Sequence, residues 1–391
     1  MKLKTLIESP NRVDLSSIMN DDLRRLDNLF HSNGFELRIV GGAVRDILSG
    51  KDPKDIDLAS DANPQEVVDL LKSDNIRVIE TGLQHGTVTA NMASEDYEIT
   101  TLRIDRETDG RHAEVEYTKD WEQDAMRRDL TFNAMSIDFD GNLYDYHGGH
   151  DDLKTGTAKF VGDADQRMQE DFLRILRYFR FQGRMDKPKF DEATIESIKN
   201  NASGLEKISG ERIWSEVSKI LSGNNATEIL SKMKSTGVLG QIGLNSLGEF
   251  NKVKQNTDDS NLLLASMLGS QEELDELRER WKFSNPEYKT MKYVIRNRDK
   301  NYNLSDLKQM IAVDNVPKEL VHSLMDYKGE TQKLGQMQNW DKPDFPVTGN
   351  DLKNLGMPPG PEMGKALARL KNAWAQSVYK MDREQLLGKI E

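Results

Sequence analysis

The chain has 391 residues, with 54 basic and 66 acidic side chains and a net charge of −12. Roughly 150 residues per domain gives two or three domains, and 36% hydrophobic residues suffice for packed cores. The absence of cysteine excludes disulfides, thiol nucleophiles and cysteine-ligated zinc, and ordinary glycine and proline counts exclude a collagen-like fibre.

No run of 18 apolar residues occurs, so no membrane crossing is expected. The N-terminal stretch MKLKTLIESPNRVDL lacks a signal-peptide core, and a cytoplasmic location is expected. The acidic total argues against indiscriminate coating of nucleic acid but leaves room for a local basic patch.

In chain order, residues 1–30 read as helix, with Asn20 or Asp21 capping Leu23–Phe30. From Leu37 to about Phe139 short β-like runs alternate with turns: 37–41, 55–60, 76–81, 86–92, 97–104 and 136–139. Beyond about 165 the periodicity is helical, over 167–184, 211–222, 226–237, 260–281, 286–298, 304–313 and 361–379. An α/β head is therefore followed by an all-helical remainder. The seam is expected near 140–160, with later breaks at 299–303 and 338–349.

Two features of the head carry chemistry. Leu37, Ile39 and Val40 run into Gly41-Gly42, and a short helix is predicted from Ala43 to Ser49, stopped by Gly50. Glycines at such a turn let backbone N–H groups approach an anion, and the helix N-terminus adds partial positive charge. Arg45 lies in the first turn, within reach of a phosphate. The next predicted strand carries Asp55-Ile56-Asp57. Strand alternation puts both carboxylates on one face and Ile56 toward the core. Hard oxygen ligands at that spacing suit Mg²⁺, and two such ions can align an attacking hydroxyl with a leaving pyrophosphate. Either feature alone is weak; their close succession is informative.

GGAVRDILSGKDPKDIDLA resembles the first motif of the polymerase-beta-like nucleotidyltransferase superfamily. More narrowly, it resembles class II CCA-adding enzymes (tRNA nucleotidyltransferases) and the related bacterial poly(A) polymerases. Further segments match in the same order: GLQHGTVT (82–89), YEITTLRID with DGRHAEVEY (97–117), RRDLTFNAMSID (127–138) and YDYHGGHDDL (144–153). VGDADQRMQEDFLRILRYFRF (161–181), ERIWSEVSKIL (211–221) and PVTGNDLKNLGMPPGPEMGKAL (346–367) follow. The chain departs from the pattern at Lys159-Phe160, where Ile-Arg is usual, and at Ala113, where proline is common.

The resemblance implies an α+β fold: a mixed-sheet nucleotidyltransferase head (1–150), then an all-α neck for base recognition (151–225), and a body (226–335) and tail (336–391) that bind tRNA. It implies a monomer that adds C, C and A from CTP and ATP to the tRNA 3′ end without a template, using two Mg²⁺ ions and releasing pyrophosphate. A bacterial-type poly(A) polymerase, an enzyme adding only A, and a non-catalytic tRNA-binding module are the alternatives.

By the same resemblance, Asp55 and Asp57 are the catalytic metal ligands. Glu98 is either a third carboxylate or a structural strand residue. Gly41, Gly42, Arg45 and Arg128 meet the triphosphate and ribose, with Asp129 and Asn133 beside them. Asp171 and Arg174, three apart on one predicted helix, share a face and read the base. Cytosine and adenine each present an amine beside a ring acceptor, whereas guanine and uracil present a carbonyl. Arg177, Arg180 and Arg184 continue along that helix and face triphosphate or RNA. The polar segment 105–117 matches the family's flexible loop, whose presence favours adding the adenosine. Glu211–Leu221 is an amphipathic brace, with Glu216 and Lys219 expected exposed. For tRNA phosphates, a stripe of Lys289, Lys292, Arg296 and Lys300 is interleaved with Tyr288, Tyr293 and Tyr302. Gly360 and Lys365 lie in a tail turn suited to phosphate.

Overall fold

A computed structural model describes residues 12–108 and 113–390. The chain divides into two compact units that meet in sequence at Gly243 and Leu244. The expected head and neck both fall within the first unit, and the seam lies inside the stretch expected as body.

The first unit opens with helix α1 (Asp21–Ser32), capped by the Asn20 side chain, which accepts from the Leu23 amide at 2.8 Å. Leu23, Leu26 and Phe30 recur at helical spacing and are buried. The helix expected over 1–30 is thus confined to its second part; 12–20 is not helical, and 1–11 lies outside the described residues.

Seven strands form the main sheet: β1 (Leu37–Val40), β2 (Leu58–Ser60), β3 (Arg77–Ile79), β4 (Thr87–Asn91), β5 (Asp96–Thr101), β8 (Ser136–Ile137) and β9 (Leu143–Tyr144). Their spatial order is β3-β4-β5-β2-β1-β8-β9. Only β2 and β5 run parallel; the other neighbours are antiparallel. Strands β6 (Arg103–Thr108) and β7 (Ala113–Tyr117) form a separate antiparallel ribbon. This ribbon holds the ends of the loop expected at 105–117; residues 109–112 lie outside the described residues. All four β1 residues are buried, as a central strand requires.

Helix α2 (Gly42–Leu48) follows β1 directly, and α3 (Pro64–Ser73) starts on a reciprocal Asn63–Glu66 capping box. Next come α4 (Trp121–Met126), α5 (Gly149–Thr155), α6 (Ala164–Glu170), α7 (Leu173–Gln182), α8 (Glu192–Asn201), α9 (Gly210–Leu221) and α10 (Ala226–Ser235). The departure at Lys159-Phe160 is accommodated locally: Lys159 pairs with Asp152 at 3.0 Å, and Phe160 stacks on Tyr178.

Two further expectations in the first unit need correction. The strand expected over 55–60 begins only at Leu58, so Asp55-Ile56-Asp57 precedes it, with Asp55 in a bend. The helix expected over 167–184 is broken. It stops at Glu170, Asp171 is extended (φ −157°, ψ 104°), and a new helix begins at Leu173. The break has a packing cause: Phe172 lies over Gly204, where a Cβ would overlap its ring. Asp171 Oδ1 then accepts from the Leu173 amide at 3.1 Å and satisfies the start of α7.

The second unit is helical. The run expected at 260–281 is interrupted, giving Ser260–Met267 and Gln271–Trp281. The breaks expected at 299–303 and 338–349 fall between helices Asn285–Asn297 and Leu304–Ala312, and between Thr331–Gln338 and Gly349–Asn354. One core gathers Leu307, Ile311, Val321, Leu324, Met325 and Met337; another gathers Leu352, Leu370, Trp374 and Leu386. No helix among the described residues is long and apolar enough to cross a membrane.

Gly204→Ala tests the cause of the break. Overpacking of this kind costs about 1–3 kcal/mol and should lower the urea midpoint, with partial recovery when Phe172→Ala is added. Unchanged stability of the single variant would show that the contact does not set the break.

Candidate active site

The sheet brings three separated segments to one end. Because β1 and β2 are antiparallel, the exit of β1 lies beside the entry of β2: Ile39 faces Leu58, and the Val40 amide donates to the Asp57 carbonyl at 3.0 Å. On the other side β8 pairs with β1, and the Gly41 amide donates to Met135 at 3.3 Å. The Gly-Gly turn, the acidic pair and the 128–135 segment therefore converge although up to about 90 residues separate them in sequence.

At this end Asp55 and Asp57 are exposed and Ile56 is half-buried between them. The exposure alternates as anticipated although these residues lie ahead of the strand. Desolvation pushes the Asp57 carboxyl above its usual range; Arg128 opposes the rise and the Asp55 charge adds to it. Two hard oxygen ligands two residues apart are a donor set that a divalent cation satisfies. No third acidic or histidine side chain completes a metal-binding group with them among the described residues. Glu98 stands exposed on β5, opposite Thr89 of β4, so the structure does not assemble the three-carboxylate version.

Gly41 has φ +67°, and a Cβ there would lie 3.0 Å from Arg128 Nη1. Glycine is thus required by backbone conformation and by close approach together. Arg45 Nη2 lies 3.6 Å from where a Gly42 Cβ would stand. Two guanidinium groups therefore flank the turn, and carboxylates hold them there. Arg45 pairs with Asp46 at 2.7 Å and donates to Asn133 Oδ1 at 3.0 Å. Arg128 pairs with buried Asp124 at 3.2 Å and donates to the Asn133 carbonyl. Asp129 accepts from Arg177 Nε at 2.6 Å, from Asn133 Nδ2 at 3.1 Å and from the Leu130 amide. It tethers α7 to this segment. Burial alone would raise the Asp129 carboxyl, but Arg177, Asn133 and Leu130 outweigh it and hold it below the usual carboxylate range.

The expected base-reading residues are both partly buried, but they do not pair with each other. Arg212 Nη2 donates to Asp171 Oδ2 at 2.6 Å, and Arg174 Nη1 donates to Glu170 Oε2 at 2.6 Å. Arg174 also donates to the carbonyls of Arg167 and Arg127. The i,i+3 shared face is lost because Asp171 is outside the helix, and each reader is held by its own partner. Glu216, expected exposed, is buried and ion-pairs with Arg180 at 3.0 Å; Lys219 is exposed as expected.

The similarity to known proteins agrees with this geometry. Residues 37–159 match the family profile described as Poly A polymerase head domain, and 189–243 match one described as a probable RNA and SrmB-binding site of polymerase A. The human mitochondrial CCA tRNA nucleotidyltransferase 1 is 43% identical over 98% of this chain and 92% of its own length. A CCA-adding enzyme of Lactococcus lactis is 30% identical over 92% of this chain and 93% of its own. The chain belongs to the CCA-adding tRNA nucleotidyltransferase family. Its fold is that of the Bacillus stearothermophilus CCA-adding enzyme solved with CTP (TM-score 0.79, 23% identity, 95% of this chain and 98% of that one). The Thermotoga maritima enzyme complexed with tRNA has a TM-score of 0.67 at 21% identity over 100% of this chain and 98% of that one.

In this CCA-adding family member the basic stripe of the second unit is only partly assembled. Lys289 and Arg296 are exposed and Lys292 is half-buried along helix Asn285–Asn297; Lys300 lies beyond its end. Of the three tyrosines, Tyr293 and Tyr302 pack against the apolar core. Only Tyr288 carries cations, with Arg278 at 3.9 Å and Lys292 at 5.2 Å. Gly360 is the exposed cap of helix Pro361–Gln376, and Lys365 is exposed beside Glu362.

Sequence reasoning missed Asp124 and Arg212. The spacing of Asp124 to Arg127 and Arg128 on one helical turn is a signal that could have found the first; nothing local announces the second, 41 residues from its partner.

The Asp129–Arg177 pair makes a pH-dependent prediction. Asp129→Asn leaves partly exposed Arg177 without its counter-ion, at a cost of about 3 kcal/mol at neutral pH, the low end for a buried pair. A depressed folded-state value means the wild-type advantage is present above about pH 4 and is lost as pH falls through that lower value. Urea titrations should show the two stability curves converging in acid; a constant gap from pH 7 to 3 would contradict the assignment.

Proposed function

We propose that this chain is a template-independent CCA-adding enzyme, in which the tRNA 3′-hydroxyl attacks the α-phosphate of CTP and later of ATP, and pyrophosphate leaves. The observation that carries the reading is the convergence, within one compact unit, of an exposed acidic pair, a glycine turn flanked by two guanidinium groups, and a fixed acceptor and donor at Asp171 and Arg174. One unit supplies every group the transfer needs, which supports a monomer as the working species.

In this reading Asp55 and Asp57 hold two Mg²⁺ ions, which when bound supply charge neutralisation at the attacking and leaving oxygens. Gly41 and Gly42 offer a close backbone approach to the triphosphate, while Arg45 and Arg128 face its oxygens. Asn133 sets the position of both guanidinium groups, and Asp129 fixes Arg177 beside them. Arg177 and Arg180 line the path from base to phosphates. Asp171 keeps lone pairs for an exocyclic amine, and Arg174 keeps N–H groups for a ring nitrogen. Guanine or uracil would leave these buried groups unpaired, at about 1–3 kcal/mol. Arg212 and Glu170 act through the two readers as positioning residues.

The finer division into head (1–150), neck (151–225), body (226–335) and tail (336–391) belongs to this proposal. So do the assignment of Lys289, Lys292, Arg296, Lys300, Gly360 and Lys365 to tRNA phosphates, and full CCA rather than A-only addition. The mitochondrial name of the human relative adds the mitochondrion to the cytoplasmic expectation.

Product sequencing after incubation with tRNA lacking its last three nucleotides, CTP, ATP and Mg²⁺ tests the reading. Ordered C, C, A addition is expected; A-tracts would favour a poly(A) polymerase, and A alone an A-adding enzyme. Asp55→Ala and Asp57→Ala should each lower incorporation by at least about a hundredfold with unchanged circular dichroism, since both side chains are exposed. Arg212→Ala should cut discrimination against UTP and GTP by about tenfold, with Arg212→Lys restoring part of it. Selectivity unaltered in both would remove Arg212 from the mechanism.

A further inference from the structure

Phe181, buried near the end of α7, is ringed by cations. The guanidinium carbons of Arg45, Arg177, Arg180 and Arg184 lie 5.0, 5.4, 4.2 and 5.6 Å from its ring centroid. Three of the four have a carboxylate: Arg45 with Asp46, Arg177 with Asp129, and Arg180 with Glu216. No acid lies within ion-pair distance of Arg184 among the described residues, and its side chain is exposed.

The ring thus carries one more positive than negative charge, and the excess faces outward. Partial burial and neighbouring Arg45 hold the Arg184 guanidinium below its usual range, with Asp46 and Glu216 opposing the fall. The exposed guanidinium lies against the face of Phe181 rather than on a carboxylate. Its surroundings face the chemistry. Two residues on, Asp186 lies 3.9 Å from Lys51, and the loop that leads into Asp55 carries exposed Lys51, Asp52 and Lys54. An exposed fork with no carboxylate within ion-pair distance suits the oxygens of a phosphate.

We infer that Arg184 is a phosphate-binding group at the rim of the catalytic site, beyond Arg45. The phosphate belongs either to the tail of the incoming triphosphate or to the RNA backbone just upstream of the 3′ end. The inference rests on the nucleotidyl-transfer reading for its setting.

The test compares wild type, Arg184→Ala and Arg184→Lys by calorimetric binding of inorganic tripolyphosphate, by binding of trimmed tRNA across a salt series, and by the KM values for CTP and for tRNA. A triphosphate contact predicts that Arg184→Ala weakens tripolyphosphate binding and raises the CTP KM by about tenfold. An RNA contact predicts a tRNA KM raised by as much and a salt slope of tRNA binding shallower by about 0.7. In either case kcat changes less than KM, and Arg184→Lys recovers part of the loss, which also shows that the loss does not come from misfolding. The inference is overturned if both Kd values and both KM values stay within twofold of wild type. If wild type adds no nucleotide, the nucleotidyl-transfer reading fails, while the two binding arms still report on Arg184.

Discussion

Neutralisation of guanidinium charge organises the first unit. Arg45, Arg128, Arg177 and Arg180 crowd toward one end of the sheet, and each is matched by a carboxylate: Asp46, Asp124, Asp129 and Glu216. Without those acids the cations would repel one another; with them they form a fixed lattice of donors. Buried pairs of this kind add little to stability compared with an apolar core. Their value is geometric, since a preorganised cation needs no rearrangement when an anionic substrate arrives. The same pairs join the segments, because Asp129 lies on the head side and Arg177 on α7.

The arrangement at Asp171 follows a related logic. In the proposed reading, an acceptor and a donor for a base must not be consumed by each other. An unbroken helix would set Asp171 and Arg174 on one face and invite a direct ion pair. Ending α6 at Glu170 and seating Phe172 on Gly204 takes Asp171 out of the helical register. Arg212 and Glu170 then hold the two groups apart. The packing of one phenylalanine on one glycine thereby controls which hydrogen-bonding groups remain available.

Much of this was legible in the sequence because it depended on local pattern. Gly41-Gly42 after a hydrophobic strand, the Asp55–Asp57 spacing, and the order of α/β head before helical remainder all follow from nearest neighbours. Three features were not legible. The break at Asp171 depends on Gly204, thirty-three residues away. Glu216 looks like a surface residue of an amphipathic helix until Arg180 needs a buried partner. Tyr293 and Tyr302 have the spacing of an RNA-stacking stripe, yet an apolar cluster of the second unit claims them. Each case turned on a tertiary contact that outweighs a local periodicity.

The acidic total is compatible with an RNA substrate once the acids are sorted by what they do. Asp46, Asp124, Asp129 and Glu216 are spent on arginines in the interior, and Asp171 on Arg212. None of these contributes its full charge to the outer field. Near this end Asp52, Asp55, Asp57 and Asp186 reach solvent alongside Arg184, Lys51 and Lys54. A polyanion approaching there meets cations interleaved with acids, and a divalent cation would offset the charge of Asp55 and Asp57. Net charge therefore says little about this site; the pairing of each acid decides whether an incoming phosphate meets attraction or repulsion.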